Sequence, residues 1–344
     1  MHNFTPLIDI QKSRATGVGS SNIPTLALLN KRYGQTPYTL WEEKTGRRAP
    51  FRGNSRTYWG TMLEGLVLRE YISEHGLGNP TGFYLAYLAR KHRARRNVVI
   101  YAEFRHPDYP FALSHPDLVV LEGDGRVQEA KTAGFFSAKR NDDPDYGYSE
   151  EDTSQNGIPA SVFLQLQWQM LSSGIPVGGV SLLADTANYR EYGPVVADPR
   201  TQEKCLALAE RFWWHVEHDT PPKPETWEDV VSLFPEVRET TAMVGGEHEI
   251  EAREMAAEYK TLGGQIKKLE DRREDIKAAF GVWMGANKLL TTAEGEKLAT
   301  QGEVSSEYFD VKKLRTDKPE DYEKLKAQGF ITAKSWRNLY ISRR

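Results

Sequence analysis

Hydrophobic and polar positions alternate most clearly around one glycine-containing turn. Leu118-Val119-Val120-Leu121 leads into Glu122-Gly123-Asp124-Gly125, and Val127-Gln128-Glu129-Ala130-Lys131 follows. Two short apolar, β-branched runs around such a turn predict a β-hairpin. Strands are also expected over Val98 to Phe104, Val177 to Ala184 and Tyr189 to Tyr192. Helical spacing appears in Thr39 to Gly46, where a glycine closes the helix, and in Tyr58 to Ile72, with an apolar stripe at 59, 63, 66, 67 and 71. Further helices are expected over Val162 to Leu171 and Gln202 to His218, the latter broken by Pro221-Pro222-Lys223-Pro224.

Beyond the prolines the pattern changes. Met255, Tyr259, Leu262, Ile266, Leu269, Ile276 and Phe280 keep a 4-3 spacing in which Arg273 takes one apolar place, as in a helix able to pair with another. Gly263-Gly264 weakens that helix, and Leu289 to Thr300 predicts a small hairpin before a basic tail, Lys334 to Arg344. The expected organisation is a core over 1–220, a linker over 221–246 and a C-terminal extension over 247–344, a coiled-coil-like helix plus a small α+β element. For the extension, assembly, partner docking and extra DNA contact are the candidate roles, in that order.

Composition changes this picture little. The chain has 344 residues, 39% hydrophobic and 27% charged, with 45 basic against 48 acidic side chains. That balance excludes a general polyanion binder and makes local clustering the feature that matters. No segment approaches the roughly 18 apolar residues of a membrane span, and Met1 to Asp9 lacks the pattern of a secretory signal, so a cytoplasmic protein is expected. The single cysteine, Cys205, is expected as a buried structural thiol.

Candidate chemistry centres on the hairpin. Asp117 begins its first strand, and Glu129 and Lys131 share one face of its second while Ala130 points away. Two acids and an amine around one point suit a hard divalent cation and a water beside it, a site for phosphodiester hydrolysis. A surface ion pair on an ordinary hairpin is the alternative. Glu64 lies on an apolar helix face, where a carboxylate needs a partner unless it sits at the stripe's exposed margin. Arg14-Ala15-Thr16-Gly17-Val18-Gly19-Ser20-Ser21-Asn22 could hold a phosphate at a helix start with Arg14 closing over it, or could be a plain helix cap with Pro24 in the first turn. The basic run Arg90 to Arg96, with Arg93, Arg95 and Arg96, is a candidate phosphate track or a solvated loop. Gln165 and Gln169 lie one turn apart on a face with Trp168 and Ser172, with Gln167 turned the other way; buried glutamines need partners such as the hairpin or a DNA backbone. Ser137 to Asn156, polar and acidic, is expected as a mobile loop at the mouth of the site.

The order of these pieces resembles the YqaJ-like viral recombinases, the lambda-exonuclease-type branch of the PD-(D/E)XK nucleases. The resemblance covers about residues 10 to 195 and rests on Arg14…Gly17-Val18-Gly19-Ser20-Ser21, Trp59-Gly60-Thr61…Glu64, His115-Pro116-Asp117…Glu129-Ala130-Lys131 and Gln165-Leu166-Gln167. It implies an α/β restriction-endonuclease-like core, a mixed central sheet flanked by helices. It also implies that Asp117, Glu129 and the carbonyl of Ala130 bind Mg²⁺ (or Mn²⁺), with Glu64 completing the site directly or through water. Lys131 would position or activate the attacking water, Gln165 or Gln167 would support the site, and Arg14 with Ser20 and Ser21 would grip a 5′-phosphate. The usual Ser-Asp of the N-terminal motif is Ser21-Asn22 here. The implied activity is a 5′ to 3′ exonuclease on linear duplex DNA in phage-type recombination within a bacterial host. A single-strand annealing protein is the implied partner and a trimeric ring the implied assembly. A restriction-like or structure-specific endonuclease and a non-catalytic DNA-binding or assembly protein are the rival readings.

Overall fold

The computed structural model describes residues 4–6, 9–49, 53–89, 93–95, 97–134, 147–148, 152, 154–185, 187–307, 309–332, 336–337 and 339–341. Two compact units divide the chain, Met1–Pro235 and Glu236–Arg344.

The strands of the first unit are β1 (Phe4–Pro6), β2 (Arg93–Arg95), β3 (Val98–Ile100), β4 (Ala102–Arg105), β5 (Leu113–Ser114), β6 (Leu118–Val120), β7 (Arg126–Ala133), β8 (Val177–Ala184) and β9 (Asn188–Val196). Its helices are α1 (Ile10–Ala15), α2 (Ile23–Leu26), α3 (Pro37–Lys44), α4 (Ser55–Glu74), α5 (Pro80–Leu88), α6 (Ala160–Ser173), α7 (Pro199–Glu217) and α8 (Trp227–Leu233). Six strands form the central sheet in the order β2-β3-β6-β7-β8-β9, and β1-β4-β5 form a small second sheet. Only the β7–β8 pair of the central sheet is parallel. A parallel pair needs a crossover, and α6 lies between its two strands in sequence.

Strand alternation gives the central sheet two apolar faces. Val99, Val119 and Val127 pack with Leu166 and Met170 of α6, whereas Val98, Ile100, Leu118 and Ala130 pack with Val67, Leu68 and Tyr71 of α4 and Phe83 of α5. A third cluster gathers around Trp168, on the side of α6 away from the sheet, with Ile23, Trp41 and Phe212. Its indole N–H donates to the carbonyls of Val18 (3.1 Å) and Leu113 (3.0 Å), which fixes the N-terminal segment to α6. The result is the expected mixed α/β layout, a central sheet between helices.

Several local expectations need correction. Val98 to Phe104 is two strands in two sheets, because Tyr101 adopts a left-handed φ of 49° and turns the chain between β3 and β4. The apolar stripe of α4 is rotated: Trp59 and Leu66 are exposed, and Gly65, Val67, Leu68, Tyr71 and Ile72 are buried. Gly65 explains the rotation, since a Cβ there would lie 2.7 Å from the Tyr87 ring. Within the segment expected as linker, α8 folds onto the first unit; buried Asp229 accepts from Thr36 Oγ1 at 3.0 Å. Cys205 is buried, as expected of a structural thiol.

The second unit holds α9 (Glu247–Met284), the antiparallel hairpin β10 (Leu289–Thr291) and β11 (Lys297–Thr300), α10 (Val311–Asp317) and α11 (Pro319–Ala327). Helix α9 runs unbroken through Gly263-Gly264. Tyr322 is buried beneath the Arg315 guanidinium, 4.6 Å from the ring centroid. Among the described residues, no helix is long and apolar enough to cross a membrane.

Candidate active site

Strand β7 brings Glu129 and Lys131 to the face covered by α6. Lys131 Nζ stands 2.6 Å from Glu129 Oε1 and donates to Gln165 Oε1 at 3.1 Å. Gln165 Nε2 also donates to Glu129 Oε1, and Gln169 Nε2 donates to Glu129 Oε2 at 2.7 Å. The carboxylate of Glu129 is buried, and these three donors satisfy it; charge-assisted bonds of this kind are roughly twice as strong as neutral ones. Helix α6 therefore acts as a clamp on the acid of β7.

Asp117 immediately precedes β6, where antiparallel pairing sets it beside the middle of β7, next to Glu129. Its Oδ2 accepts from the Ala130 N–H at 2.8 Å. Glu64 reaches the same point from α4, accepting a hydrogen bond from the Tyr87 hydroxyl with its carboxylate close to that of Asp117. Tyr87 is itself held by the Tyr101 hydroxyl, which donates to its carbonyl at 2.9 Å.

Electrostatics follow from three carboxylates facing one ammonium. Burial, then the charges of Glu129 and Glu64, push the Asp117 carboxyl well above the usual range. Burial, then Glu129, raises Glu64 against the opposing Tyr87 bond and Lys131 charge. Burial works against the charge on Lys131, but Glu129 and Asp117 outweigh it and hold the ammonium more firmly than usual. The site thus carries an excess of hard oxygen donors and negative charge. Among the described residues, no three His, Cys, Asp or Glu side chains form a ready coordination cluster. The donor set fits a hard cation that keeps several waters, with Asp117, Glu129 and the Ala130 carbonyl available directly and Glu64 through water.

These groups floor a cavity of about 520 Å³ whose rim includes Arg14, Ser20, Ser21, Asn22, Lys44 and His115. The rim is built from α1 and the turn after it, and α1 buries none of its own residues. Polar anchors hold it instead. Ser13 Oγ donates to Glu103 and lies 2.7 Å from His115 Nε2, while Arg105 donates to Thr16 Oγ1 at 2.7 Å. Lys44 Nζ donates to the carbonyls of Arg14 and, at 2.7 Å, Gly17. Burial pulls Lys44 down to about 8, helped by the Arg14 charge. Burial lowers His115 to about 4, with Arg14 adding to it and Glu103 opposing. The Arg14 charge interacts with Asp117 and Glu64 across the cavity.

The structure thus brings Glu64, Asp117, Glu129, Ala130, Lys131, Gln165, Arg14, Ser20 and Ser21 around one cavity. Gln167 is not among them: it donates to the Val196 carbonyl at 2.9 Å and accepts from the Asp198 N–H at 2.8 Å, joining the end of β9 to the start of α7. Arg93 and Arg95 lie in β2 at the sheet edge, with β3 and β6 between them and β7, rather than beside the hairpin's second strand. Arg96 and the run Arg90 to His92 lie outside the described residues. Helix α2 spans only Ile23–Leu26, too short for a substantial dipole, so the cationic and hydroxyl character of this rim comes from Arg14, the serines and Lys44. Most of the expected mobile loop, including 137–146, also lies outside the described residues, but Tyr148 is buried against Tyr192 with ring centroids 5.4 Å apart. Tyr87, Lys44 and Gln169 are site residues that sequence reasoning missed or left unassigned. Of these, only Gln169 carried a signal, its helical register with Gln165.

Fold and site together define a class, a mixed α/β fold whose central sheet, flanked by helices, carries two acids and a lysine at the floor of a cavity. Residues 9–176 match the family model of the YqaJ-like viral recombinase domain. The uncharacterized protein YqaJ of Bacillus subtilis (strain 168) is 27% identical over 155 residues, 45% of this chain; the match spans 38% of that protein's length. The alkaline exonuclease LHK-Exo from Laribacter hongkongensis superposes with a TM-score of 0.41 at 17% identity, over 60% of this chain and 91% of its own; it has also been solved in complex with dAMP.

Proposed function

We propose that this protein is a divalent-metal-dependent deoxyribonuclease that digests linear duplex DNA from its ends. The observation that carries the reading is the set of half-buried Asp117 and Lys131 with buried Glu129, which adjoining chain segments bring to the floor of a cavity whose rim is cationic and rich in hydroxyls. Mg²⁺ or Mn²⁺, held by Asp117, Glu129 and the Ala130 carbonyl, would supply Lewis-acid stabilisation of the charge growing on the scissile phosphate. The protein's own groups do the positioning. Glu129 is immobilised by Gln165 and Gln169, and Glu64 is aimed by Tyr87. Lys131 keeps its proton, so it serves as a fixed cationic donor to a water or phosphate oxygen rather than as a base.

Arg14, Ser20 and Ser21 at the rim support recognition of a 5′-phosphate, and hence 5′ to 3′ digestion. The YqaJ-like domain supports a role in recombination, with a single-strand annealing protein as partner and a ring-shaped homotrimer around DNA as the assembly. A cytoplasmic location in a bacterial host goes with that role.

The test is digestion of linear duplexes with phosphorylated or unphosphorylated 5′ ends, with and without Mg²⁺, beside a covalently closed circle. Metal-dependent loss of the phosphorylated linear strand, with the circle untouched, is expected. Asp117→Ala and Lys131→Ala should abolish digestion and leave DNA binding largely intact. Normal digestion by either variant removes the assignment, and cutting of the circle replaces the exonuclease with an endonuclease.

A further inference from the structure

Helix α9 presents an apolar seam to solvent along most of its length. Tyr259, Ile266 and Phe280 occupy one heptad position and Leu262, Leu269 and Ile276 the other, with Met255 and Trp283 extending the seam at its ends. Leu269 is 66% exposed, Ile266 56% and Tyr259 58%, whereas soluble helices normally bury such a stripe. The helix also carries Gly263-Gly264 at its centre, each costing about 1 kcal/mol relative to alanine, so intrinsic propensity does not account for a single helix from Glu247 to Met284. A partner helix on the seam would.

We propose that α9 pairs with α9 of a second copy of this chain as an antiparallel two-stranded coiled coil. A 4-3 seam carried through from Met255 to Trp283 is matched by another such seam, and the chain supplies one itself. The seven seam side chains exposed beyond the intermediate range offer on the order of 800 Å² per helix, the size of a standard stable interface.

Charge selects the orientation. In a parallel, in-register pair, Arg273 would face its own copy within the seam, and Arg272 would flank Lys277 of the other helix on both sides. The antiparallel arrangement centred between Ile266 and Leu269 opposes Arg273 to Leu262 and brings Glu258 within reach of its guanidinium. Along the flanks it pairs Gln265 with Arg272 and leaves no like-charge contact. Met255 then meets Phe280 of the other copy. The small Gly263 stands at a flank position opposite Glu270.

The experiment uses the full chain. Light scattering at micromolar concentration should give twice the mass of the Leu262→Asp/Leu269→Asp variant, whatever the assembly of the first unit, with the far-UV circular dichroism and cooperative thermal unfolding of that variant retained as evidence of folding. Orientation is read separately by oxidative cross-linking. Met255→Cys alone should give no disulfide dimer, because its two copies stand at opposite ends, and Met255→Cys/Phe280→Cys should cross-link efficiently. Equal masses for the native chain and a folded charged variant would overturn the proposal and leave the seam to a different protein. A disulfide dimer from Met255→Cys alone would overturn the antiparallel register. Neither readout depends on nuclease activity, so the pairing and the proposed function fail separately.

Discussion

Replacing Gln169 tests whether α6 clamps the Glu129 carboxylate. Gln169→Leu keeps the side-chain volume close but removes the donor that sits 2.7 Å from Glu129 Oε2. A hydrogen bond to a buried charge is worth about 1.5–3 kcal/mol. The same change deletes the Gln169 Oε1 atom, a buried acceptor with no partner among the described residues, which returns about 1 kcal/mol. A net loss of about 0.5–2 kcal/mol is expected, or a fall in Tm of roughly 1–8 °C for a unit of this size. Gln169→Glu separates this account from simple packing, since it sets a second carboxyl against Glu129 in a buried site. Burial and Glu129 raise the pKa of the introduced group. Its penalty is therefore absent below the ordinary carboxyl pKa, grows as pH rises from there towards the raised value, and is full above it. The variant should lose more stability than Gln169→Leu at neutral pH and approach it on acidification. Thermal or urea unfolding followed by fluorescence, with Trp168 next in the helix, measures both. If Gln169→Leu melts with the native protein, or Gln169→Glu is no worse than Gln169→Leu at pH 7, the clamp is wrong.

Three further perturbations follow from the geometry. Tyr87→Phe removes the hydroxyl that aims Glu64 and should raise the Mg²⁺ concentration needed for half-maximal digestion several-fold while DNA affinity holds; an unchanged metal titration would count against Glu64 in the metal's hydration shell. Gly17→Ala places a Cβ 2.3 Å from the Phe111 carbonyl oxygen and 2.8 Å from Leu113 Cδ2, so it should cost about 1–3 kcal/mol in unfolding free energy, because the backbone on that side cannot yield. Lys44 is the pH-sensitive anchor. Its folded pKa of about 8 lies below the ordinary 10.5, so the unfolded chain binds more protons between those values. The cost of burying its charge is present below pH 8 and relieved between about 8 and 10.5. Native stability measured against Lys44→Met should therefore improve by up to about 3 kcal/mol over that window. A difference that is flat with pH would refute the assignment.

The amino-acid sequence alone determined the elements whose signals are local. Alternation around Glu122 to Gly125 predicted the β6–β7 hairpin and set Glu129 and Lys131 on one face, because a strand's period of two leaves no choice. Helical periodicity placed α6 and α9, and the register of Gln165 with Gln169 was readable in the same way. The order of motifs carried the family resemblance. Tertiary packing decided what depends on contacts distant in the chain. It rotated the buried face of α4, because Gly65 admits the Tyr87 ring, and so brought Glu64 to Asp117. It sent Gln167 to the end of β9 and Gln169 to Glu129, a choice set by which side of α6 meets the sheet. It also split Val98 to Phe104 at Tyr101, and it anchored α1 through Lys44, Glu103 and His115, residues 30 to 102 positions from the groups they hold. Hydrophobic pattern specifies which face of an element is buried against something; only the assembled fold specifies against what.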